Sequence, residues 1–312
     1  MPNQIKGLHH VTSMASDALR TDAFMTGLLG LRRVKKTVNF DAPDIYHLYY
    51  GDEAGSPGSV MTYFPFPHIA KGLRGTGEVS ETLFAVPGGS LDYWRERLAS
   101  AGLDGIALTE HFGEKRLQFS GPDGDAFALI EVAYDPRPPF AGGPVPVDKG
   151  IHGFRGVTMQ LRDTEATAGF LSLMGYREIA RDGNLTRLDL AGGNGADIVD
   201  LERRPDAPKA REGAGSVHHV AFAVEDRAAQ LQVRKALLGA GAHVTPVIDR
   251  NYFWAIYFRT ADGVLFEVAT HEPGFAHDED AGHLGTALKL PDQHEHLRAQ
   301  LERSLPAIPG HI

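Results

Sequence analysis

An α+β fold of four βαβββ units, paired into two curved-sheet domains, is predicted by three features of this 312-residue chain. Four segments share one strand–helix–three-strand layout, a glycine closes each helix, and an apolar strand closes each unit. The repeat period is roughly 60 to 75 residues, too long for a solenoid and suited to one small sheet layer.

The opening strands lie at residues 8–12, 80–84, 154–158 and 217–221. Each leads into an apolar helical stretch ending at Gly30, Gly102, Gly175 or Gly241, where a left-handed C-terminal cap suits a residue without Cβ. Asp226 is placed to cap the fourth helix, whose Leu231, Ala236, Leu237 and Ala240 approximate an apolar stripe. The closing strands lie at 59–63, 126–132, 196–201 and 264–268. Two of them follow Asp123-Gly124 and Asp262-Gly263, dipeptides that favour a hairpin connection with positive φ.

Residues 135–150 are rich in proline and glycine, including Pro136, Pro138, Pro139, Gly142 and Gly143, and can neither form a helix nor pair efficiently in a sheet. They read as a linker between an N-terminal domain, 1–134, and a C-terminal domain, 151–271, each of two units. Residues 272–312 form a tail with one helix, from Pro291, a favoured first helical position, to about Ser304.

Composition bounds the chemistry. With 42% hydrophobic and 23% charged residues the chain is globular. Neither a membrane span nor an apolar run of signal-peptide length is present, so a cytoplasmic location is expected. Cysteine is absent, which excludes disulfides, thiolate nucleophiles and sulfur-ligated metals and leaves histidine and carboxylates as the strong ligands. A net charge of −9 without a basic cluster argues against nucleic acid as a partner. Glycine-rich turns such as 192–195 lack a phosphate-loop ending, and there is no serine nucleophile elbow. Homo-oligomerisation is left open.

Paired units of this kind collect side chains from their first and last strands on a concave face. The repeat alignment places His10, Glu81, Gly156 and His219 at the first-strand position, and Thr62, Glu131, Asp200 and Glu267 at the last. Pairing units one with two and three with four yields two sets, His10 with Glu81 and Glu131, and His219 with Asp200 and Glu267. Pairing one with four yields His10, His219 and Glu267 beside an uncharged Thr62. Two imidazoles and one carboxylate suit non-haem Fe(II). Spacing alone does not choose between these pairings.

The segments 7–12, 46–52, 58–62, 216–222, 257–259, 263–270 and 284–291 together resemble the hydroquinone-type ring-cleaving dioxygenases of the vicinal-oxygen-chelate (glyoxalase, bleomycin-resistance and extradiol dioxygenase) superfamily. The resemblance implies that fold, the one-with-four pairing, and iron held by His10, His219 and Glu267. It further implies catalytic or flanking roles for His9, His218, Arg250 and Tyr257, an aromatic diphenol and O₂ as substrates, and Fe(II) as cofactor, with Mn(II) or another divalent ion as the alternative. A glyoxalase-like lyase or isomerase, or a small-molecule binding or resistance protein, is the competing reading of the same fold.

Plainer readings stand beside these. Arg250 also reads as a solvated loop charge, and Tyr257 as a packed aromatic. His47, His111, His152 and His271 read as structural, while His277, His283, His294, His296 and His311 belong to a polar tail. An unpaired Glu267 would be costly to bury in its apolar run, and a bound cation accounts for it.

Overall fold

A computed structural model describes residues 4–309; His311 lies outside them. Unit one comprises β1 (Ile5–Ala15), α1 (Ala18–Asp22) continuing as a π-helical stretch Ala23–Leu28, β2 (Arg32–Asn39), β3 (Ala42–Gly51) and β4 (Val60–Pro65). Unit two comprises β5 (Glu78–Pro87), α2 (Leu91–Ser100), β6 (Ala107–His111), β7 (Glu114–Ser120) and β8 (Ala126–Val132). Unit three has β9 (Gly153–Leu161), α3 (Glu165–Leu173), β10 (Arg177–Asp182), β11 (Leu185–Asp189) and β12 (Ile198–Arg203). Unit four has β13 (Val217–Val224), α4 (Arg227–Gly239), β14 (Ile248–Asp249), β15 (Phe253–Arg259) and β16 (Leu265–Pro273).

The helix boundaries follow local chemistry. The Asp226 side chain accepts the Ala229 amide at 2.8 Å, capping α4. Gly30, Gly102, Gly175 and Gly241 all adopt positive φ, the conformation expected of them.

The four units form two eight-stranded sheets, ordered β14-β15-β16-β13-β1-β4-β3-β2 and β10-β11-β12-β9-β5-β8-β7-β6. Units one and four therefore share one sheet, joined by antiparallel β1 and β13, and units two and three share the other through β5 and β9. This corrects the division into an N-terminal and a C-terminal two-unit domain. The proline-rich segment connects β8 to β9 within one sheet; its composition marks a stretch that cannot pair but says nothing about which units it separates. The chain instead crosses between sheets at 66–77 and 204–216. These crossings run side by side through bridges at Lys71–Ala214, Leu73–Arg211 and Thr76–Lys209.

Apolar faces of both sheets, with the helices, enclose a core that includes Trp94, Phe84, Phe127 and Phe222. The tail straps the outer strand of the first sheet. Lys36 bridges Leu288, and fully buried Lys35 reaches Asp278 at 2.6 Å and Glu279. The expected single tail helix is divided, a 3-10 stretch Asp292–Leu297 preceding α5 (Arg298–Ser304), and Pro291 is extended rather than helical. Among the described residues, no helix is long and apolar enough to cross a membrane.

Candidate metal centre

Strand register builds the site as two rows across the first sheet. Tyr257 pairs with Glu267, Glu267 with Ala221, and Ala221 with His10, so these residues cross β15, β16, β13 and β1 in one line. Two residues along, His219 pairs with Thr12, Thr12 with Thr62, and Thr62 with Tyr49. Directly opposed residues on one sheet face are close neighbours. The small Ala221 side chain, between Glu267 and His10 in the first row, leaves room for the side chains beside it to converge.

His10, His219 and Glu267 consequently converge, with ligand-type atoms all within 4.8 Å of one another. His219 Nε2 lies 3.0 Å and His10 Nε2 3.4 Å from Glu267 Oε2, and the two Nε2 atoms are 3.1 Å apart. All three residues are buried, yet neither carboxylate oxygen of Glu267 has a hydrogen-bond partner. Burial would raise the Glu267 carboxyl, but His10 and His219 override it and hold it well below the usual carboxylate range. Burial lowers His219 to about 4, so its ring is neutral at physiological pH. Buried acceptors that converge without donors fit a cation.

The adjacent histidines play unequal parts. His9 Nε2 meets the Thr270 carbonyl at 3.2 Å, and His9 Nδ1 meets His10 Nδ1 at 2.9 Å. The His9 Nε2–H thus donates to Thr270, and His9 Nδ1 accepts from His10, leaving His10 Nε2 as a bare lone pair. Both His9 nitrogens are engaged, and its ring is absent from the cavity wall. His218 Nδ1 lies 2.8 Å from His219 Nδ1, and the His218 ring faces the cavity.

That cavity, about 310 Å³, opens over the triad between apolar walls of Met14, Phe64, Phe66 and Phe253. Arg250 and Tyr257 line it together. The Arg250 Nε donates to the Tyr257 hydroxyl at 3.1 Å, and its other arm pairs with exposed Asp41 at 3.2 Å. Burial and the nearby Glu267 charge push the Tyr257 phenol well up, keeping it protonated. A larger groove of about 940 Å³ between α3, α4 and the β10–β11 hairpin contains none of these residues.

Sequence reasoning placed Thr62 beside the triad but missed His47, Tyr49 and Thr12. His47, read as structural, lines the cavity and starts a buried chain with Thr62, Thr12 and Tyr49 that ends at His219 Nε2. The signal available was position: Thr12 is two residues from His10, hence on the same strand face.

Among the described residues, the second sheet carries no such triad. Its register places Ala128, not Glu131, opposite Leu83 and so at the position equivalent to Glu267. Glu131 lies three residues further on and accepts the Leu91 amide at the start of α2. Asp200 does occupy the equivalent position, but Arg116 and Arg187 hold it at 2.6 and 2.8 Å. Gln118 binds Glu81 at 2.7 Å.

The glyoxalase/bleomycin resistance protein/dioxygenase family profile matches residues 7–268. MhqO of Bacillus subtilis (strain 168), provisionally named a ring-cleaving dioxygenase, is 39% identical over 306 residues, covering 98% of this chain and 97% of MhqO. The chlorohydroquinone/hydroquinone 1,2-dioxygenase of Sphingobium indicum is 35% identical over 317 residues, covering 98% and 97% respectively. A crystal structure of a provisionally named dioxygenase from Bacillus subtilis superposes with a TM-score of 0.94 at 37% identity, covering 98% of both chains. Glyoxalase I from Zea mays, at 17% identity with a TM-score of 0.63 over 85% of this chain and 92% of its own, shares the fold. Full-length relatives at this identity, together with the profile match, establish that the chain belongs to the glyoxalase/bleomycin resistance protein/dioxygenase superfamily.

Proposed function

We propose that this protein is an Fe(II)-dependent ring-cleaving dioxygenase acting on a single-ring aromatic diphenol of the hydroquinone or catechol type. One observation carries the metal reading: Glu267 is buried, ionised and without a hydrogen-bond donor, facing two imidazole nitrogens 3.0 and 3.4 Å away. His10, His219 and Glu267 would hold the ion. When bound there, Fe(II) supplies the one-electron chemistry that lets an aromatic ring react with O₂. The relatives' names support the reaction class.

The chain's own residues account for the rest. The cavity volume of about 310 Å³ suits one ring with small substituents, and Phe64, Phe66 and Phe253 give that ring apolar walls. His218, whose Nδ1 is taken by His219, keeps Nε2 for a substrate oxygen. Tyr257 orients a hydroxyl, and Arg250, fixed by Tyr257 and Asp41, stabilises negative charge that develops on ring opening. His9 acts as a positioning residue for His10.

Anaerobically purified, Fe(II)-loaded protein tests the reading on an oxygen electrode with hydroquinones, catechols and the methylglyoxal–glutathione adduct. Oxygen uptake with a diphenol is expected. Uptake with none of them contradicts ring cleavage, and turnover of the adduct alone points to the lyase.

A further inference from the structure

We propose that Phe40 sets the largest ring substituent the cavity admits, and that His294 of the tail is its positioning residue. The diphenol arm of the test rests on the proposed function; the size limit on a bound ring does not.

Local chemistry places Phe40. Asn39 and Ala42 pair across β2 and β3, leaving Phe40 and Asp41 as a two-residue turn. The Asn39 side-chain oxygen accepts the Asp41 and Ala42 amides at 2.9 and 3.2 Å, which fixes the turn from within. Asn39, Phe40 and Asp41 all line the cavity over the triad. The Asp41 carboxylate accepts from Arg250 of unit four at 3.2 Å. The half-buried Phe40 ring packs, as Tyr257 does, against the cluster that contains Tyr252 and Phe253.

A hairpin turn at a cavity mouth is ordinarily a mobile element. The tail removes that freedom from outside. His294 Nε2–H donates to the Phe40 carbonyl at 2.9 Å. The strands behind the turn are held by the same tail: the Lys36 carbonyl accepts the Lys289 amide at 2.9 Å, the Tyr46 hydroxyl donates to the Pro306 carbonyl at 2.9 Å, and Val38 packs with Leu290 and Leu301. A ring seated on a packed cluster and carried by a tethered turn yields little to a bulky substituent.

The other aromatic walls have a second task. The Phe253 ring lies 5.1 Å from the His10 ring, and Phe64 lies 4.3 Å from His47 and 5.7 Å from His218. Phe66 leans on Phe64 at 6.3 Å. Changing these rings disturbs the imidazoles. Phe40 has no ring contact with a histidine among the described residues, so size selection at Phe40 leaves the surroundings of the triad intact. Because His294 belongs to the 3-10 stretch Asp292–Leu297, a segment outside the four units takes part in choosing the substrate.

The test compares full-length wild type, Phe40→Ala, His294→Ala and His294→Gln on methylhydroquinone and tert-butylhydroquinone. Wild type is expected to favour the methyl compound in kcat/KM by at least about 10-fold, the lower end of what a hydrophobic pocket achieves. Phe40→Ala should lose that preference. His294→Ala should weaken it through a lower KM for the tert-butyl compound with kcat unchanged, and His294→Gln, which keeps an N–H donor, should retain it. Calorimetric binding of 4-methylphenol and 4-tert-butylphenol, which needs no turnover, should show the same order. A preference retained in folded Phe40→Ala overturns the role of Phe40, and a His294→Ala protein indistinguishable from wild type overturns that of His294. If Phe40→Ala does not fold, Phe40→Leu decides, with a smaller loss expected. A protein that turns over no diphenol but binds the phenols in the expected order would refute ring cleavage and leave the size limit standing; binding of neither phenol overturns the size limit.

Discussion

His219 Nε2 lies 3.0 Å from Glu267 Oε2, yet it aligns for hydrogen bonding with Thr12 Oγ1 and His10 Nε2 rather than with the carboxylate. Ordinary buried His–Glu pairs are arranged so that the ring donates to the oxygen. Here the acceptors face one another across a shared point, an arrangement that costs stability unless a cation fills it.

Tyr257 steadies Arg250 through its hydroxyl, 3.1 Å from Nε. Tyr257→Phe should raise KM for a diphenol and lower kcat/KM about 10-fold, the equivalent of one lost hydrogen bond to a charged group. Steady-state kinetics checks this; unchanged constants would remove Tyr257 from the substrate's surroundings.

The second sheet carries ion pairs at the position equivalent to Glu267. Asp200 is fully buried between Arg116 and Arg187, both themselves buried. Asp200→Asn leaves two guanidinium groups short of countercharge and should cost about 3–5 kcal/mol. Urea denaturation reads the loss, and metal content should remain at the wild-type level.

Lys35 ties the tail to β2 through Asp278 and Glu279. Lys35→Met leaves both carboxylates without that cation and should free the tail. Limited proteolysis is expected to cut the variant between residues 274 and 290 faster than wild type.

Burial raises Asp197 from 3.8 to about 6. Because the folded value lies above the unfolded one, folding favours the protonated carboxyl. Its contribution to stability is complete below pH 3.8 and is lost as pH rises through about 6. Thermal unfolding of Asp197→Asn across that window should lack this component of the wild-type slope.

Much of this is legible in the sequence. The helix caps at Gly30 and Asp226 are set by backbone chemistry within a few residues, and local patterns report them faithfully. His219 and Glu267 sit in one unit on paired strands, so their proximity follows from a single βαβββ repeat. His10 required knowing that unit one pairs with unit four, which only the family resemblance supplied, because each unit presents a similar apolar edge. Glu131 was misaligned by three residues since strand register is fixed by turns and bulges rather than by the matching of apolar runs. The His47 chain was invisible for a related reason: it links neighbouring strands from β3 to β13, and no spacing along the chain encodes that row.

Metal content of wild type and Glu267→Gln, both purified anaerobically with Fe(II), tests the central claim most directly. The account predicts one bound iron per chain in wild type and a loss of affinity exceeding about 100-fold in a variant with an unchanged circular dichroism spectrum. A folded Glu267→Gln protein that retains one tightly held iron would contradict it.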